Sequence, residues 1–376
     1  MDSKSKKEET VSKKLFKLAS STSSSSFASR ASSASSASSL STMLLAWMFV
    51  HIQMKTWDLY CAGDIMLNGV SPSVRAFKDL AIPSEAIFYA NLEIPLTNVP
   101  GRTPYKSAAE LKAKKQFILK ADPRHIADLV SAGIDVVSLG NNHAMDGGAA
   151  GLNQMLGLLD KNGIAHAGAG DNWSKATEPA VVVAANGTRV AFVSYLSFIS
   201  VEGLRHCTPA KAAAPGIAVL TLDGKNGVLE WGRLKKIVEK ARAKADVVVI
   251  ALHWGVERQP FPAAYQVSLG RLFIDAGADA VIGAHPHVLQ PAELYKSKPI
   301  IYSLGNFVNP GGGESAIYKL TFEKSTFKDA EVIPVKYSAG RVSFSNREAI
   351  EISMKEIELS RLFPSENSLT LTLPQD

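Results

Sequence analysis

From residue 57 onward the chain alternates short apolar runs with longer amphipathic ones. Runs of strand length recur at 57–62, 86–90, 134–139, 180–184, 190–196, 247–252, 280–282 and 300–304. They are rich in Val, Ile and Tyr, and Asp, Gly or Asn bounds most of them, as strands require. Helical spacing fills several intervals. Segment 123–132 has an Asp122 cap, Pro123 in its first position and Gly133 at its end. Segment 149–161 is closed by Asn162-Gly163, 229–244 spaces Leu229, Leu234, Ile237, Val238 and Ala241 between Lys and Glu, and 265–276 stops at Gly277. Near-continuous apolar strands alternating with helices predict an α/β fold with buried sheets. After Gly311-Gly312-Gly313 the pattern changes. Runs at 317–322, 330–336 and 341–344, with a turn near 338–340, predict antiparallel strands, and 346–362 predicts a last helix.

Residues 1–53 follow neither period. Lysines open the segment, 14 of the 22 residues from Ser20 to Ser41 are serine, and a short apolar run follows at 43–50. The serine tract has too little apolar surface to fold. The apolar run has the length of a signal-peptide core, with no clear Ala-x-Ala site behind it. A Ser-rich transit peptide is a second reading, and an unstructured extension before a working start at Met54 is a third. The expected division is a leader at 1–53, a main domain at 54–310 and a β/α extension with a tail at 311–376.

Composition narrows the class. Of 376 residues, 46% are hydrophobic and 20% charged, as in a globular chain. No apolar run approaches the ~20 residues of a membrane helix. Cys61 and Cys207 alone cannot make a disulfide scaffold or a thiolate-rich metal site. The net charge of +6 belongs to the leader, because residues 1–55 hold eight Lys/Arg against three Asp/Glu. The body is nearly neutral, so no nucleic-acid partner is expected.

Polar motifs follow the apolar runs, where α/β sheets place their ligands. They are Gly63-Asp64, Asn91-Leu92-Glu93, Gly140-Asn141-Asn142-His143 with Asp146, His253-Trp254-Gly255-Val256-Glu257, and Gly283-Ala284-His285-Pro286-His287. In an extended segment His285 and His287 would point the same way. Asp64, Glu93, Asn142, His253, His285 and His287 form a thiolate-free ligand set that suits one or two Zn, Mn or Fe ions. Glu93 could bridge two ions, and the neutral Asn142 oxygen could complete a sphere. His143 suits a general acid better than a ligand.

These motifs, in this order, resemble the calcineurin-like metallophosphoesterase superfamily. With Tyr302-Ser303-Leu304-Gly305-Asn306-Phe307 added, the wording across 57–308 is similar to the CapA/PgsA family of poly-γ-glutamate capsule-synthesis proteins. The resemblance implies a four-layer αββα sandwich carrying a small antiparallel β extension. It places Asp64 and His287 on a first metal, Glu93 as the bridge, Asn142, His253 and His285 on a second, and His143 as the acid. Asn141, Asp146, Glu257, Gln290, Glu293 and Asn306 become candidates for orienting ligands or meeting substrate. Met66 stands where the wider superfamily has a histidine ligand, which weakens the first site. The implied role is capsule synthesis by metal-dependent hydrolysis of a phosphoester or acyl phosphate, beside membrane partners at the cell surface. The rival is an accessory protein that binds or exports a polyglutamate chain without catalysis. A start at Met54 would instead leave the protein in the cytoplasm.

Overall fold

A computed structural model describes residues 56–100, 106–198, 207–221 and 231–345. The leader and the helix expected at 346–362 lie outside the described residues.

The first sheet forms around β1 (Thr56–Ile65), with β2 (Ile87–Leu92), β3 (Val136–Ser138) and β4 (Ala165–Ala167) following it in parallel. A short ribbon joins β5 (Ala169–Gly170) to β8 (Gly216–Ile217). The second sheet contains β6 (Ala180–Val183), β7 (Arg189–Phe198), β9 (Val219–Thr221), β10 (Val247–His253), β11 (Ala280–Ala284), β12 (Leu289–Tyr295) and β13 (Lys298–Leu304). The chain then returns to the first sheet as β14 (Asn306–Val308), β15 (Gly312–Glu323), β16 (Thr326–Ser338) and β17 (Arg341–Phe344). The helices are α1 (Ala108–Lys112), α2 (Ile126–Ala132), α3 (Gly148–Lys161), α4 (Trp173–Ala176), α5 (Trp231–Arg242) and α6 (Ala264–Asp275). None of them is long and apolar enough to cross a membrane.

Alternation along each strand explains the apolar runs. Ile87 and Tyr89 join a cluster that also holds Phe192 and Val249 from the second sheet. Phe88 and Ala90 face the other way, into a cluster with Leu129 of α2 and Leu152 of α3. Likewise Val247, Val249 and Ala251 turn toward the first sheet, while Val248, Ile250 and Leu252 meet Leu234, Leu269 and Phe273 of α5 and α6. Strands buried on both faces cannot show polar alternation. Truncating a fully buried side chain such as Phe273 costs ~3–5 kcal/mol.

The antiparallel strands expected after residue 311 are present, and they extend the first sheet: β15 pairs with β1 from Thr56↔Glu323 to Cys61↔Tyr318. Residues 289–295, which lie in none of the apolar runs, form a strand paired with β13 through a turn at Lys296-Ser297. Both turn residues have positive φ, 51° and 59°, which matches the twist of a tight hairpin.

Candidate metal centre

Strand ends bring the motifs together because the backbones approach closely there. A Cβ at Gly63 would lie 1.9 Å from the Gly305 carbonyl oxygen, and one at Gly283 would lie 2.0 Å from that of Tyr302. The β1 register shifts between Ala62 and Asp64, which turns Asp64 into the site. Asn91 donates to Asp64 Oδ1 at 2.7 Å, and Ser138 donates to Asn91 Oδ1 at 2.7 Å.

His285 and His287 arrive by a route the sequence did not suggest. Their φ values are 97° and 60°, so both histidines, on either side of Pro286, depart from extended backbone. Both rings still converge, with centroids 5.9 Å apart, and the His253 ring lies tilted at 4.7 Å from that of His285. The strained backbone, not the strand pleat, aims them.

Three sets of ligand atoms lie within 4.8 Å of one another: Asp64, Glu93 and His287; Glu93, His253 and His285; and Glu257, His285 and His287. Asn142 Oδ1 lies 2.8 Å from His253 Nε2. Glu93 is fully buried, 3.7 Å from His287 Nε2 and 3.8 Å from His253 Nε2. Among the described residues, both Glu93 carboxylate oxygens and His285 Nδ1 lack a hydrogen-bond partner. A carboxylate and an imidazole buried in this state fit a cation between them.

Burial, followed by the Asp64 charge, pushes the Glu93 carboxyl well above the usual range. Burial and the neighbouring His285 and His287 hold His253 well below its ordinary value, and burial lowers His285 to about 4. These two rings are therefore neutral, with lone pairs available. Burial also acts to lower His287, but Glu93 and Asp64 outweigh it and push that ring up to about 10.

His143 sits beside this group on a turn held by Asn141. The Asn141 side-chain oxygen accepts from the backbone N–H groups of His143 and Ala144, and its amide donates to the Leu92 carbonyl. His143 Nδ1 lies 2.7 Å from Asp146 Oδ2. Burial lowers the His143 pKa, and the Asp146 contact opposes that.

Residues 58–311 match the family described as "Bacterial capsule synthesis protein PGA_cap". The chain belongs to this family. It is 34% identical over 277 residues to the "PGA biosynthesis protein CapA" of Bacillus subtilis (strain 168), covering 73% of this chain and 65% of that one. It is 30% identical to the "Capsule biosynthesis protein CapA" of Bacillus anthracis, covering 61% and 54%. It is 26% identical to a "Probable polyglutamine synthesis accessory protein" of Mycobacterium tuberculosis, covering 69% and 71%. The chain thus spans under two thirds of the length of the two Bacillus relatives.

Within this PGA_cap chain, two of the candidate residues sit elsewhere. Gln290 donates to the Gln259 and Phe261 carbonyls and so holds a loop. Glu293 accepts from Arg271 at 3.0 and 2.7 Å and from Tyr302 at 2.5 Å, away from any histidine. Asn306 does reach the site: its Oδ1 lies 3.0 Å from His287 Nδ1, and its amide donates to the Tyr337 hydroxyl of β16. Met66 packs on the apolar cluster containing Ile65 and Leu67.

Sequence reasoning missed Asn91 and Lys106. Asn91 stood inside a quoted motif, and its place beside Asp64 was the available signal. Lys106 carried none. Its buried ammonium donates to the Phe117 carbonyl at 2.8 Å and to Asp146 Oδ1 at 2.5 Å, and lies 3.1 Å from His143 Nδ1. Burial lowers its pKa against the pull of Asp146.

Proposed function

We propose that this capsule-synthesis family member is a metal-dependent hydrolase of phosphoesters or acyl phosphates, built on a four-layer αββα sandwich of metallophosphoesterase type. Three separate apolar clusters support the layering, one holding side chains of both sheets and one on the helix side of each. The observation that carries the chemistry is Glu93, a buried carboxylate with no hydrogen-bond partner beside imidazoles. Such a charge is costly without a cation. Asp64 and His287 would hold one ion, Asn142, His253 and His285 another, and Glu93 would lie between them. Zn, Mn or Fe suits these donors. A bound divalent ion supplies Lewis acidity and lowers the pKa of a coordinated water from ~15.7 toward ~7. Asp146 fixes the His143 ring through Nδ1, which leaves Nε2 to hand a proton to the leaving oxygen. Glu257, exposed near His285 and His287, would meet substrate at the mouth. The relatives are named for PGA, capsule and polyglutamine synthesis, which supports reading polyglutamate as the polymer and other capsule-synthesis proteins as the partners.

The test is metal content of the purified protein by plasma mass spectrometry, with turnover of a phosphoester panel. About two ions per chain and measurable turnover are expected. His143→Ala should keep the metal and lose ~10²–10⁴ in turnover. A folded protein that takes up no metal would sink the assignment. A second reading, a non-catalytic accessory protein, is favoured by Met66, a thioether that packs against the apolar cluster at the position where the resemblance expects a histidine. In that case His143→Ala would leave polymer binding unchanged and no substrate would turn over.

A further inference from the structure

A second polar site lies on the outer side of the second sheet. A pocket of about 260 Å³ is lined by Trp173 of α4, Tyr195 of β7, and Arg233, Lys236, Ile237 and Lys240 of α5. None of these residues belongs to the metal-ligand sets. The three cations stand at i, i+3 and i+7, so they share one face of α5. Lys240 is paired with Glu178 at 2.9 Å. Among the described residues, neither Arg233 nor Lys236 pairs with a carboxylate; Arg233 donates to the Val219 carbonyl at 3.2 Å.

The floor differs from an ordinary solvated face. Trp173 is 36% exposed, while Tyr195 is only 3% exposed and shares the outer apolar cluster with Leu234. Burial pushes the Tyr195 phenol up to about 12 against the opposing charge of Arg233, so it stays a neutral donor. An aromatic wall, an aliphatic floor and two unneutralised cations suit a ligand that alternates methylene stretches with carboxylates. The guanidinium fork takes a carboxylate in two bonds, and a lysine one turn away takes the next as a point charge.

We propose that this pocket binds the carboxylates of a glutamyl polymer and holds the chain on a surface separate from the metal centre. The inference rests on the reading above that polyglutamate is this protein's polymer.

Fluorescence anisotropy with a labelled γ-linked glutamate oligomer tests it on the full chain. Binding should weaken as salt rises. Arg233→Ala with Lys236→Ala should weaken it by about tenfold or more. Lys236→Glu alone, at an exposed position, supplies the same test if the double variant fails to fold. Chelator treatment should leave binding within about twofold, because the metal centre is elsewhere. Wild-type affinity in both variants would overturn the proposal. So would displacement of the oligomer by inorganic phosphate as effectively as by free glutamate, which would mark a general oxyanion site. Loss of binding on chelation, with the Arg233 and Lys236 variants unaffected, would move the polymer to the metal centre. That result would end this proposal and leave the hydrolase reading standing. Metal content of the same preparations reports on the hydrolase reading separately.

Discussion

Single atoms decide whether the site exists. At Gly63 a methyl group would meet the Gly305 carbonyl oxygen at 1.9 Å, and neither backbone can retreat from a paired strand. Gly63→Ala should therefore cost about 3 kcal/mol or more, read by denaturant unfolding. Proton occupancy gives a second prediction. The Glu93 and Asp64 charges hold the His287 proton to about 10, so that ring carries a proton that a cation must displace. His253 and His285 are already neutral near pH 7. Metal uptake at neutral pH should release protons, and affinity should rise with pH. Calorimetry in buffers of different ionisation enthalpy checks this, and a buffer-independent heat would contradict it.

At the scale of elements, hairpins do work that the motifs do not reveal. The β12–β13 pair carries Glu293 to Arg271 of α6 and Tyr302, binding the helix to the sheet edge. Glu293→Ala should cost ~2 kcal/mol of stability and leave metal content unchanged. The β15–β16 hairpin covers the edge of β1 and brings Tyr337 to Asn306, which faces His287. Tyr337→Phe removes a partner of the Asn306 amide. A roughly threefold to tenfold loss of metal affinity is expected, at the low end for a group that only orients a ligand. An unchanged dissociation constant in a metal titration would show that Asn306 needs no such support.

For the whole molecule, the centre is stitched from both sheets. Asp64 and Glu93 come from the first, and His253, His285 and His287 from the second. A cation that binds all of them binds only the folded chain, so it should stabilise it by mass action. Chelation should lower the melting temperature. Return of the metal should restore it in wild type but not in Glu93→Gln. A melting temperature indifferent to chelator would separate the fold from the metal.

The strand runs, the helical stretch between Asp122 and Gly133 (a 3-10 turn at Pro123–His125 leading into α2) and the side-chain chemistry of the candidate site were legible because they depend on local period, caps and side-chain type. The six candidate ligand residues and His143 could be named in order along the chain for the same reason. Their convergence was not legible, because it rests on contacts between residues far apart in sequence. Gly63 and Gly305 touch, His285 and His287 take positive φ between β11 and β12, and Lys106 is buried against Asp146. Gln290 and Glu293 had the right residue types but lie on a hairpin strand that turns them toward other partners. Side-chain type and period are written locally, whereas which groups share a buried volume is settled only when the two sheets pack.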